Sequence, residues 1–102
     1  MPRRYRRSRI ELYADVMRAI ANGRETPARI VYAANLSYDR VIKCLNFLEE
    51  QGLVEKLQDP KKKRFAVTDR GMEVIRYFGM VETALFYRKK TVSNLKIHYP
   101  RA

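Results

Sequence analysis

The stretch from Thr26 to Val67 constrains the fold most, because helix-stop and helix-start signals crowd two short helices ahead of a strand-forming pair. Thr26-Pro27 reads as an N-cap followed by proline at the first helical position, where its missing N–H is of no consequence. The helix it opens, ARIVYAA, offers Ile30, Val31 and Ala34 to a core and stops at the brief Asn35-Leu36 turn. Ser37 is the next N-cap, and its helix runs to about Gln51, with Gly52 just beyond its end. Along that helix Val41, Leu45 and Leu48 share one face, with Cys44 beside them. Residues 53–57 (LVEKL) then alternate as a strand does, and Phe65-Ala66-Val67 supplies its partner. Between them QDPKKKR is a polar connector turned by Pro60.

Upstream, residues 10–22 (IELYADVMRAIAN) hold apolar side chains at helical spacing, with Leu12, Val16 and Ala19 as a second stripe. So much apolar surface predicts a helix covered from two sides. Downstream, Thr68 caps a last, longer helix that reaches about Lys90. The order is helix, helix, helix, strand, basic turn, strand, helix. It predicts an α+β, mainly helical fold: a winged helix-turn-helix with a two-stranded wing and a longer C-terminal dimerisation helix. The expected divisions are a flexible basic arm at 1–9, the winged domain at 10–68, the C-terminal helix at 69–90 and a basic tail at 91–102.

Charge says what such a fold is for. Twenty-two Lys and Arg stand against 11 Asp and Glu, a formal net charge of +11. The excess is localised: residues 1–9 carry +5, residues 56–64 carry +4 and residues 86–102 carry +5, leaving the rest at −3. Clustered positive charge suits a polyanion, because neutralising phosphates releases condensed counterions. A solvated, solubilising surface is the competing explanation.

With Val41, Leu45 and Leu48 inward, the third helix turns Asp39, Lys43 and Asn46 outward, with Arg40 on the flank. Arg and Lys donate to guanine, Asn bonds adenine, and Asp accepts from cytosine. Ser37 and Tyr38 at the helix start, and Arg29 on the preceding helix, suit phosphate contacts. Phe47 reads as a packing residue. Lys61, Lys62, Lys63 and Arg64 form the wing tip and are point charges for phosphate. Arg3, Arg4, Arg6, Arg7 and Arg9 form an arm that lies on phosphates or enters a narrow minor groove. The expected partner is therefore double-stranded DNA.

The last helix has two apolar rows, Val74, Phe78, Val81 and Leu85 in one and Tyr77, Met80, Ala84 and Tyr87 in the other. One row is expected to close the domain's own core. The other, Tyr77, Met80, Ala84 and Tyr87, is expected to meet a second copy, making a homodimer.

Other classes are disfavoured. No apolar run approaches the roughly 18 residues of a membrane span, so no membrane partner is expected. A single cysteine, Cys44, forbids an internal disulfide or a cysteine-cluster metal site. The single histidine, His98, lies in the tail, the acids are dispersed and no Gly-rich phosphate loop exists. No catalytic residue, metal or cofactor is expected, and the expected location is the cytoplasm, in association with the nucleoid or in a host cell.

The run TPARIVYAANLSYDRVIKCLNFLEEQGLVEK, with FAVTDRGMEVIRYF after the connector, resembles archaeal winged-helix DNA-binding proteins over about residues 12–80. Most similar are the small, basic, chromatin-associated group of Sulfolobus and its regulator-like relatives. The specific parts are ARIVYAANLSY, the helix end Leu45, Leu48, Gly52, Leu53, Val54, and VTDRG. The resemblance implies a homodimer whose final helices pair as an antiparallel coiled coil. It places Ser37, Tyr38, Arg40 and Lys43 on a DNA-reading helix and residues 61–64 on a wing. The final helix is shorter than that group's, and the arginine arm is an addition that points toward a mobile-element or viral source. Two functions stay open: a sequence-specific transcriptional regulator, and a non-specific chromatin or architectural protein.

Overall fold

The computed structural model describes residues 7–86. The expectations for Arg3, Arg4, Arg6 and Tyr87, for the end of the last helix near Lys90 and for the tail 91–102 lie outside the described residues. The elements run α1 (Arg9–Ala21), α2 (Pro27–Ala34), α3 (Tyr38–Glu50), β1 (Val54–Leu57), β2 (Arg64–Val67) and α4 (Asp69–Phe86). This is the winged arrangement, in the order the sequence prescribes.

Each helix begins at a side-chain cap. Ser8 and Glu11 form a reciprocal capping box on α1, with Ser8 N donating to Glu11 Oε1 at 2.7 Å and Glu11 N donating to Ser8 Oγ at 3.2 Å. Thr26 Oγ1 accepts from Arg29 N, and Ser37 Oγ accepts from Arg40 N. The tight turn between α2 and α3 is made by Asn35, whose φ of 56° is left-handed, a conformation asparagine tolerates.

The core sits among α1, α2, α3 and the strand pair. Val16, Ile30, Val41 and Leu48 are fully sealed, and Met17, Leu45 and Val54 nearly so. Burying a side chain of this kind stabilises the fold by about 1.5–3 kcal/mol. Leu36, in the turn itself, is also buried and joins α2 to α3. α1 is covered from more than one side, as its two stripes require, with Ala14, Val16, Met17, Ala19 and Ile20 all buried. Phe47 stacks on Tyr13 at 4.6 Å between ring centroids, a packing residue as expected.

β1 and β2 pair antiparallel, Val54 opposite Val67 and Leu57 opposite Arg64. The VTDRG motif explains how α4 docks on this hairpin. Thr68 N donates to Leu53 O at 3.0 Å, Thr68 Oγ1 donates to Gly52 O at 2.7 Å, and Gly71 N donates to Thr68 Oγ1 at 3.1 Å. A Cβ at Gly71 would overlap the Leu53 carbonyl and stand 2.6 Å from Val67 Cγ1, so only glycine fits there.

Two expectations change. Arg7 does not belong to a free arm: its guanidinium donates to Asp15 Oδ2 at 2.8 Å, to Ala34 O at 2.8 Å and to Asn35 O at 3.2 Å. The last carbonyls of α2 need donors, and an arginine beside a carboxylate satisfies them. Arg7 is therefore fixed to the winged body, and Arg9 is already the first residue of α1. The second change concerns α4. Of the row expected to close the core, Val74 and Phe78 are half-buried while Val81 and Leu85 are 51% and 61% exposed. The core gains Ile75 instead, packed against it beside Val74. Beyond Phe78 the helix runs past the body that would cover it, held by Arg18, which donates to Glu82 at 2.9 Å and lies over the Phe78 ring.

Candidate nucleic-acid interface

α3 is split cleanly by its own sequence. Val41, Cys44, Leu45 and Leu48 face the core, and Tyr38, Asp39, Arg40, Lys43 and Asn46 are exposed, as is the cap Ser37. Burial pushes the Cys44 thiol pKa up despite the opposing charges of Arg40 and Arg7, which keeps it a protonated packing group. Tyr38, 56% exposed, is left free to meet a partner. Asp39 and Lys43 pair across one turn at 3.4 Å, both largely exposed. Such a pair contributes only about 0.3–0.5 kcal/mol and yields readily to a stronger partner.

The start of α3 and the wing tip converge. Tyr38, Lys62 and Lys63 line one concavity of about 370 Å³ with Thr26, Pro27 and Ala28 at the start of α2. Lys62 also shares a concavity of about 350 Å³ with Arg29. Residues far apart in the chain thus meet on one face.

The wing separates its bases by role. Asp59 Oδ1 accepts from the backbone amides of Lys61 at 2.8 Å and Lys62 at 3.2 Å, which shapes the turn. The bond from Lys61 above all, with that from Lys62 and the Arg64 charge, holds the Asp59 carboxyl below its ordinary value against the opposing effect of burial. Lys61, Lys62 and Lys63 are exposed and make no side-chain ion pair among the described residues. Arg64 differs from the expectation that grouped it with them. Its Nε and Nη2 donate to Glu25 Oε1 at 3.0 and 2.7 Å, and its Nη1 lies 3.5 Å from Asp59 Oδ2. The hydrogen bond to Glu25 raises its pKa. Beside it Phe65 N donates to Glu25 O, so Arg64 ties the root of the wing to the loop before α2.

Two sets stand out among the described bases. Arg7, Arg18 and Arg64 are consumed by Asp15, Glu82, Glu25 and Asp59. Arg29, Arg40 and Lys61–Lys63 stand on the side of α3 and the wing without a carboxylate partner. Two exposed groups escape the charge pattern, Arg24 and Tyr32. Tyr32 is signalled by the wheel of α2, where it lies opposite the inward Ile30 and Ala34. No group of three or more His, Cys, Asp and Glu among the described residues is placed to hold a metal ion.

The winged helix-turn-helix family pattern matches residues 6–85. An uncharacterized protein of Methanocaldococcus jannaschii is 33% identical over 72 residues, 71% of this chain and 70% of that protein. Among solved structures, Sso10a-2, a DNA-binding protein from Sulfolobus solfataricus, superposes with a TM-score of 0.64 at 23% identity, covering 94% of this chain and 99% of that one. MepR, a transcription regulator of the Staphylococcus aureus multidrug efflux pump MepA, gives 0.65 at 19% identity, covering 81% of this chain and 62% of that longer one. With the element order, the capped turn and the hairpin all in place, this chain belongs to the winged helix-turn-helix family.

Proposed function

We propose that the protein is a sequence-specific regulator of transcription that binds double-stranded DNA as a homodimer. α3 enters the major groove, whose width accepts a helix, and presents Arg40, Lys43, Asn46 and Asp39 to base edges. Ser37, Tyr38, Arg29 and the wing residues Lys61–Lys63 grip phosphates on either side. The reading is carried by the concavity in which Tyr38, Lys62 and Lys63 meet the start of α2, because it sets two wing cations beside the first residue of α3 and its polar face. It is supported by the likeness to Sso10a-2, whose name records DNA binding, and to MepR, a transcription regulator. Tyr77, Met80 and Ala84 on α4 form the contact with the second copy, joined by the exposed Val81 and Leu85.

A second reading, a non-specific architectural DNA-binding protein, is favoured by one observation. Asp39 and Lys43 satisfy each other, which leaves fewer outward groups on α3 for base edges. Selection of bound fragments from random DNA, followed by competition with random duplex and with RNA, separates the two. A regulator enriches one motif and prefers it by a factor of about 10³ or more at fixed salt. Absence of any enriched motif, with equal competition by random duplex, establishes the architectural reading instead. Undetectable binding to every duplex at low salt overturns both.

A further inference from the structure

A second basic surface lies on the outer side of α2. Arg24, Arg29, Tyr32 and Ala33 line a shallow concavity of about 260 Å³. Tyr32 is 86% exposed and stands one turn along α2 from Arg29. The helix PARIVYAA carries no acid. The carboxylates that share neighbouring concavities with these arginines are already engaged. Asp15 is held by Arg7 and Arg18, Glu25 by Arg64, and Asp59 by two wing amides and Arg64. Arg29 has no ion pair among the described residues, and Arg24 Nη1 makes only a 3.5 Å hydrogen bond to Asn22 O in its own loop. Arg29 also lines the concavity that holds Lys62, so the surface is continuous with the wing.

A lone exposed tyrosine is ordinary on a protein surface. Here the phenol shares a concavity with two guanidinium groups that have no carboxylate partner among the described residues. That is a set of donors without an acceptor, and it matches the oxygen-rich, singly charged repeats of a sugar-phosphate backbone. We propose that this face of α2 is a further phosphate-contact surface, with Arg24 and Tyr32 extending the footprint on the same duplex beyond α3 and the wing. The inference rests on the DNA-binding reading above. It adds that the duplex bound is longer than the reading helix and wing alone require.

The test is binding of the full chain to a series of duplexes of one sequence and decreasing length, for the wild type, Arg24→Ala and Tyr32→Phe, at several salt concentrations. Both side chains are exposed, and thermal unfolding of each variant checks that the fold is kept. The expected result is a loss of roughly three- to tenfold for each variant on long duplexes. That loss disappears on the shortest duplex the wild type still binds. Arg24→Ala also lowers the slope of log affinity against log salt by about one, and Tyr32→Phe leaves the slope alone. If the wild type binds and both variants match it at every length and salt, the inference is overturned while the DNA-binding reading stands. If the loss appears only in complexes holding two duplexes, as sedimentation shows directly, the single-duplex footprint is overturned. If the wild type binds no duplex, the DNA-binding reading falls and takes this surface with it.

Discussion

α3 and α4 are built from the same kinds of residue and finish in opposite conditions. In α3 the aliphatic row Val41, Leu45 and Leu48 is sealed at 0–1% exposure, and the outer face is mainly polar, with Tyr38 at its start. In α4 the apolar side chains circle the helix, and Tyr77, Met80, Val81 and Leu85 remain 51–61% exposed. A helix with one apolar face is complete once that face is covered. A helix with apolar residues on several faces is complete only when something more is laid on it. The difference is what the proposed function draws on: α3 has polar groups to offer and α4 has apolar surface.

The largest expected effect tests the contrast directly. Leu48→Ala in α3 removes a fully buried side chain and is expected to lower stability by about 2–5 kcal/mol in denaturant unfolding. Leu85→Ala in α4 changes an exposed one, and for a monomer the expected loss is within about 0.5 kcal/mol. Should Leu85→Ala prove as costly as Leu48→Ala at high protein concentration and nearly neutral at low concentration, the second half of α4 is sealed by another copy. Equal cost at all concentrations would mean that α4 is covered from within the chain, and the comparison would fail.

Next in size is the association itself. Met80→Asp and Ala84→Asp place charges on the exposed side of α4. Together they are expected to turn a sedimenting dimer into a monomer, with unfolding of the winged domain little changed, because neither residue reaches the core. A dimer that persists with both changes moves the contact elsewhere. A smaller effect is expected at the opposite end. Replacing Lys61, Lys62 and Lys63 by Ala should weaken all duplexes alike and flatten the salt slope by up to about 2.7. An unaltered slope would remove the wing tip from the interface.

The legibility of these regions in the sequence follows the range of the forces involved. Capping is local, so Thr26, Ser37 and Thr68 announce three helix starts within a few residues of the bonds they make. The core face of α3 was equally plain from spacing. Ion pairing is not local: Arg7 meets Ala34 and Asn35 across more than 25 positions, and Arg64 meets Glu25 across 39. Read as sequence, both belong to basic runs, and nothing nearby marks them as spoken for. The same limit hid the exposure of Val81 and Leu85, since their row has ideal helical spacing but the body that would cover it ends near Phe78.

The smallest expected effect concerns how the wing is held ready. Asp59 is bonded to the amides of Lys61 and Lys62, and those bonds, led by the one from Lys61, lower its pKa from the ordinary value. A carboxyl whose folded pKa is depressed contributes its stabilisation fully above the unfolded value, about 3.9. That contribution is lost as pH falls through the folded value. The wing turn is thus expected to stay closed at neutral pH and to loosen only in acid below the ordinary aspartate range, seen as a shared movement of the Lys61 and Lys62 amide resonances. Asp59→Asn keeps the accepting oxygen and loses the titration, so its amides should stay in place through the same acid range. Asp59→Ala should show the loosened positions already at neutral pH, with DNA affinity reduced by a small factor and global unfolding nearly unchanged. Wild-type amides indifferent to acid would show that the connector is shaped by Pro60 and the strand register alone.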